Sequence, residues 1–141
     1  MEARSNMGLK DPRIGYNSVT EFVGSGLPWV ISGTAGSTAT KYAFDKITKH
    51  IIIKNHETGT KSLRVGFTLN GINGVGSNYY FVVDSGDTFE FDARVKEVYL
   101  KRDGSDDISF SMYAELVGID AMMMPQLTGS VGGSTFWEGV G

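Results

Sequence analysis

From Ile108 to Val117 apolar and polar side chains alternate almost without a break. Ile108, Phe110, Met112, Ala114 and Leu116 fall on one side, and Ser109, Ser111, Tyr113 and Glu115 on the other. A period of two belongs to a β-strand with one face on a core and the other toward solvent or a partner. Shorter segments of the same kind fill the chain upstream. Leu27–Ile31 forms a first strand, with Pro28 tolerable near its start or on an edge. Gly33-Thr-Ala-Gly-Ser37 is expected to be a loop. Thr40–Asp45 alternates through Tyr42 and Phe44, Lys49–Asn55 carries Ile51-Ile-Ile53, and Leu63, Val65, Phe67 and Leu69 alternate against Arg64, Gly66, Thr68 and Asn70.

Turn signals separate these segments. His56-Glu-Thr-Gly-Thr60 bonds its own backbone or accepts positive φ, and Asn70-Gly71 and Asn73-Gly74 predict a loop over roughly 70–78. Asn78–Asp84, Thr88–Asp92 and Val95–Arg102 supply three more strands, and Asp103-Gly-Ser-Asp-Asp107 turns into the last one. That makes seven or eight strands in about ninety residues, with connections too short for βαβ crossovers. The expected fold is an all-β, antiparallel, eight-stranded β-sandwich with no helix longer than two turns. Its core is Phe44, Ile51, Ile53, Leu63, Val65, Phe67, Phe81, Val83, Phe89, Phe91, Val98, Leu100, Ile108, Phe110, Met112, Ala114 and Leu116.

The ends have a different texture. Glycine is abundant, at 19 of 141 residues, and concentrates in turns and at both termini. Residues 1–26 are expected to form an arm, 27–119 the domain, and 120–141 a Gly-rich tail; both ends are expected to be flexible. A Ser18-Val-Thr-Glu21 capping box precedes Phe22, but Gly24 stops any helix after about one turn. Phe136 and Trp137 end a Gly/Ser linker, and they either dock into a neighbour or fold back on their own domain. With Trp29, Arg4 and Arg13 they make up the expected assembly interface.

Composition narrows the function. Cysteine is absent, which excludes disulfides, thiolate metal sites and Cys nucleophiles. A net charge of −3 gives no bulk pull toward nucleic acid, and no apolar run approaches the ~20 residues of a membrane-spanning helix. Met1–Met7 lacks the apolar stretch of a signal peptide, so a cytosolic site of synthesis is expected.

Candidate chemistry is sparse. His50 and His56 are too few for a cupin-type metal site and are expected to be solvated or edge histidines. Asp103, Asp106 and Asp107 lack calcium-loop spacing. Glu90 and Asp92 share one strand face, ~6–7 Å apart, as a glycosidase pair could, but alternating Phe89 and Phe91 explain them as the wet side of an amphipathic strand. Tyr79, Tyr80 and Tyr99 offer a sugar or base platform, or interface and core packing. No catalytic, cofactor or metal residue is assigned.

Several of these strands resemble the single jelly-roll capsid proteins of icosahedral, large double-stranded DNA viruses. The similar stretches are Ile51-Ile-Ile-Lys-Asn55, Leu63-Arg-Val-Gly-Phe-Thr68, Asn78-Tyr-Tyr-Phe81, Ser85-Gly86 with the Phe-rich strand after it, Val95-Lys-Glu-Val-Tyr-Leu100, and Phe110–Ile119. The resemblance is one of strand spacing and covers a little over half the chain. It implies a single jelly roll, most like the penton protein that forms homopentamers at five-fold vertices. It also implies contacts with neighbouring capsid proteins, a virion location after synthesis in the host cytoplasm, no cofactor, no specific nucleic-acid partner and no membrane insertion. The alternative is a carbohydrate- or receptor-binding jelly-roll module, with a Glu90/Asp92 hydrolase a distant third.

Overall fold

The computed structural model describes residues 26–127 and 138–141. Its strands are β1 (Leu27–Ala35), β2 (Thr40–Ala43), β3 (Lys46–Asn55), β4 (Leu63–Gly66), β5 (Tyr80–Val83), β6 (Thr88–Phe91), β7 (Glu97–Arg102) and β8 (Ile108–Asp120), with one short helix, α1 (Leu69–Asn73), between β4 and β5. They form two four-stranded antiparallel sheets, ordered β1-β8-β3-β6 and β2-β7-β4-β5. Successive strands change sheet at every step except β4 to β5. This order is that of a single jelly roll, the two-sheet Greek-key solution for eight antiparallel strands.

The alternation in β8 places Ile108, Phe110, Met112, Ala114 and Leu116 in the core, where Ile51 and Ile53 of β3 meet Leu63, Val65, Val98 and Leu100 of the opposite sheet. Asn55 closes β3 as a fully buried polar residue. Its amide donates to the carbonyls of Lys61 and Val83 at 2.9 and 3.0 Å, and its Oδ1 accepts from the Glu57 N–H at 2.9 Å. All of its bonding capacity toward the interior is thereby used, which is the condition for burying an amide without penalty.

Several expectations need correction. β1 does not end at Ile31. It runs on through Gly33, opposite Phe110, to Ala35, opposite Ile108. Gly33 is therefore a mid-strand residue beside a core aromatic, where a Cβ would make ordinary van der Waals contact with the Phe110 ring at 3.5 Å, and it makes no turn. The predicted 70–78 loop begins with α1. Thr68 caps that helix by accepting the Gly71 N–H at 2.9 Å, and Gly74 ends it at φ 73°.

Phe81 is not a core residue: it is 54% exposed on the edge strand β5. Phe67, Phe89 and Phe91 are only partly buried. Conversely, β3 starts three residues earlier than expected, at Lys46, and its register against β8 shifts on both sides of Thr48. The shifts reverse the side-chain phase, so that Ile47 and Thr48 are both buried, as are Leu116 and Val117. Ile47, Val117, Ile119 and Met124 form a second small core there.

Candidate functional site

Two surfaces outside the core bring chemistry together. The first is the outer face of the β1-β8-β3-β6 sheet. Register places Val30, Tyr113, Ile52 and Glu90 in one row across its four strands. Around Val30, Ile52 and Tyr113 lies a shallow depression of about 320 Å³, bordered by Ser32, Lys54 and Ser111. Ser111 ties the polar border together, accepting or donating at 2.7 Å with both Ser32 Oγ and His56 Nε2.

One row away, His50 is gripped by two carboxylates, Glu90 of the edge strand β6 and Asp92 just after it. Its Nδ1 lies 2.6 Å from Asp92 Oδ1 and its Nε2 lies 2.8 Å from Glu90 Oε2. Both ring nitrogens must carry protons to make both bonds, so the site favours the imidazolium. The Asp92 hydrogen bond, reinforced by Glu90, raises the His50 pKa above its ordinary value, with partial desolvation acting the other way. Glu115 of β8, opposite His50, points its charge to Lys49 at 3.9 Å. The Glu90/Asp92 pair therefore works as a clamp on a cation of the same sheet.

The second surface is the open mouth of the sandwich, between edge strands β5 and β6. Phe81 and Phe89 stack across it with centroids 4.0 Å apart, Phe91 follows at 4.5 Å from Phe89, and Phe67 meets Phe91 edge-on at 6.0 Å. Phe67, Phe81 and Phe89 of this cluster form one wall of a groove of about 330 Å³, lined also by Val65, Asn78, Tyr79, Tyr80 and Gly139. The Arg64 guanidinium lies 4.2 Å over the Tyr80 ring and bonds Asp103 at 2.7 Å, which fixes one rim. Tyr79 and Tyr80 thus meet at one groove, whereas Tyr99 lies in β7 opposite Lys41 and Gly66 and does not line it.

The end of the chain reaches this mouth. The Thr68 hydroxyl donates to the Val140 carbonyl, and Gly141 is buried against Gly71. A Cβ on Gly71 would fall 2.3 Å from the Val140 oxygen, so only glycine leaves the chain end this seat. Thr68 and Gly71 escaped the sequence reading because each also satisfies a local role, as helix cap and turn residue, and nothing local points to residue 140.

The other expected site residues divide by location. Arg4, Arg13, Phe136 and Trp137 lie outside the described residues. Trp29 is half-buried in β1, edge-on to Phe44 at 4.8 Å and to Tyr42 at 6.5 Å, so its ring packs against the core. Asp103 and Asp107 are paired with Arg64 and Arg102, each at 2.7 Å. Among the described residues no group of three or more His, Cys, Asp or Glu side chains is arranged to hold a metal ion.

The fold defines the class: a single jelly roll with an edge-strand charge clamp and an open aromatic mouth. No protein-family model matches the chain, and no curated protein does. Three solved structures are similar in part. One concerns Bacillus endospore appendages that form disulfide-linked pili; it is 23% identical, with a TM-score of 0.41 over 64% of this chain and 86% of that one. Another is IMPa from Pseudomonas aeruginosa in complex with an O-glycopeptide, 12% identical, with a TM-score of 0.41 over 74% of this chain but 14% of that one. The third is the Yersinia pseudotuberculosis-derived mitogen, 12% identical, with a TM-score of 0.38 over 66% of this chain and 88% of that one. Likenesses of this strength assign no function.

Proposed function

We propose that the chain is a structural subunit of a viral capsid, the penton protein that forms closed pentamers at five-fold vertices. The observation that supports this reading is the presence of exposed apolar side chains on two different edges of the jelly roll. Leu27 and Val30 stand out from β1 at one edge, with Val30 71% exposed. Val82 stands out from β5 at the other, and Leu69 and Val75 are exposed on the segment leading into it. Unlike patches on opposite edges suit a head-to-tail contact, which closes into a ring when the rotation between subunits permits; a two-fold dimer would use one self-complementary patch. The number five comes from the resemblance of the strands to capsid jelly rolls.

Native mass spectrometry of the full chain tests the proposal. A five-copy species is expected, and Val30→Asp or Val82→Asp alone should reduce it to monomer. A monomer at every concentration, or a two-fold dimer, would overturn it. Glycan binding by such a monomer would favour the carbohydrate-binding alternative.

A further inference from the structure

The outer face of the β1-β8-β3-β6 sheet carries a polar row beside the one that runs from Val30 to Glu90. Strand pairing sets Ser32 of β1 opposite Ser111 of β8, and Ser111 opposite Lys54 of β3. Residues two apart on a strand share a face, so the polar row and the apolar row lie side by side and border the same depression of about 320 Å³. His56 joins from just beyond β3, its backbone N–H held by the Ser109 carbonyl at 2.9 Å.

Ser32, Ser111 and His56 form a chain of hydrogen bonds, 2.7 Å at each link. A hydroxyl has one proton and two lone pairs, so this chain runs in either direction. One direction leaves the Ser32 proton free to donate, and the other leaves its lone pairs free to accept. A ligand hydroxyl, which also gives and takes, is served both ways. Lys54 supplies a charge. Its ammonium donates to the Gly86 carbonyl at 3.3 Å and meets no carboxylate among the described residues. The carboxylates nearby are engaged elsewhere. Glu57 accepts the Ser109 N–H at 2.9 Å and pairs with Lys61 at 3.6 Å, while Glu90 bonds His50 at 2.8 Å.

We propose that this depression binds a sugar ring bearing a carboxylate. The acid group lies against Lys54, the ring hydroxyls against Ser32 and Ser111, and the C–H face of the ring on Tyr113 and Ile52. The polar row spans two strand spacings, roughly 10 Å, which is the scale of one sugar ring with its substituents. A wholly apolar ligand would need deeper enclosure than this shallow site offers, and a bare inorganic anion would leave Tyr113 and Ile52 unused. The binding groups Lys54, Ile52, Ser111 and Tyr113 stand on the two central strands, β3 and β8. The inference therefore goes beyond the capsid reading, which concerns the edges of the sandwich.

Saturation-transfer NMR of the full chain tests it, because it observes the ligand whatever the assembly state of the protein. The probes are methyl glucuronide, methyl glucoside, which is the same ring without the charge, and acetate, which is the charge without the ring. Methyl glucuronide should bind, and methyl glucoside should bind about tenfold more weakly, the ratio that one charge-assisted hydrogen bond supplies. Acetate at the same concentration should not displace the glucuronide. Lys54→Gln should bring the glucuronide down to the level of the glucoside and leave the glucoside unchanged, whereas Lys54→Arg should keep the preference. Ser111→Ala and Tyr113→Ala should weaken both sugars. Circular dichroism and native mass spectrometry of each variant should match wild type. Absence of glucuronide binding, equal affinity for the two sugars, a preference that survives Lys54→Gln, or displacement by acetate would each overturn the proposal. None of these results bears on the five-copy species, which is read from mass alone.

Discussion

Phe81 and Phe89 lie face to face, 4.0 Å between centroids and 7° from parallel, although they belong to different sheets. Their strands are joined by the short turn through Asp84–Asp87, so the stack staples the two layers where the sandwich is open. Aromatic pairs add about 0.5–1.5 kcal/mol beyond their burial. A double-mutant cycle with Phe81→Ala and Phe89→Ala, read by denaturant unfolding, should give a coupling energy in that range. Additivity of the two substitutions would mean the rings are neighbours without being partners.

Phe110 presents the opposite case. It is 1% exposed, with Tyr42 edge-on to it at 5.7 Å and Gly33 of β1 opposite it. Phe110→Ala should destabilise the fold by about 3–5 kcal/mol, through lost transfer energy and the cavity left behind. Phe81→Ala should cost much less, because half of that ring is already wet. Equal midpoint shifts for the two variants would contradict the burial assigned here.

The contrast between Phe110 and Phe81 marks where local pattern is informative. Alternation identifies which side of a strand faces inward, and it did so for both residues. It does not say whether anything lies opposite, which depends on strand order and on which strands are edges. The glycine at 33 has the same ambiguity: a turn residue by composition, it sits mid-strand, paired opposite Phe110. The start of β3 was illegible for another reason. A register shift on each side of Thr48 breaks the two-residue period, so Ile47 and Thr48 are buried together and no single alternation fits them. His50 and its carboxylates were each visible in the sequence, but forty residues separate them, and only the β3–β6 pairing joins them.

Thr48 shows what that irregular stretch requires. Its buried hydroxyl lies 2.7 Å from the Ala93 carbonyl and 3.0 Å from that of Val95, and it accepts the Val95 N–H at 3.0 Å. Thr48→Val keeps the shape but leaves a buried N–H and a carbonyl without their partner. A loss of about 1–3 kcal/mol is expected, measured by denaturant unfolding, whereas Thr48→Ser should retain most of the stability. A loss for Thr48→Ser as large as or larger than that for Thr48→Val would show that the hydroxyl does not carry the role alone.

The His50 clamp makes stability depend on pH in a definite direction. The Asp92 hydrogen bond first, and Glu90 after it, raise the folded-state pKa above the ordinary histidine value of 6.5. A raised pKa means the folded protein holds the proton more tightly than the unfolded chain does. The stabilisation is therefore fully present below about pH 6.5 and is lost as pH rises through the folded-state value. Thermal midpoints of wild type and His50→Gln should differ most in mildly acidic buffer and converge in alkaline buffer. Asp92→Asn should lower the His50 titration midpoint, followed by NMR of its ring protons, more than Glu90→Gln does, since Asp92 contributes the larger effect. Glu115 is engaged with Lys49 and should change that midpoint little when neutralised. A titration curve unmoved by Asp92→Asn would show that the clamp seen in the geometry does not hold the proton.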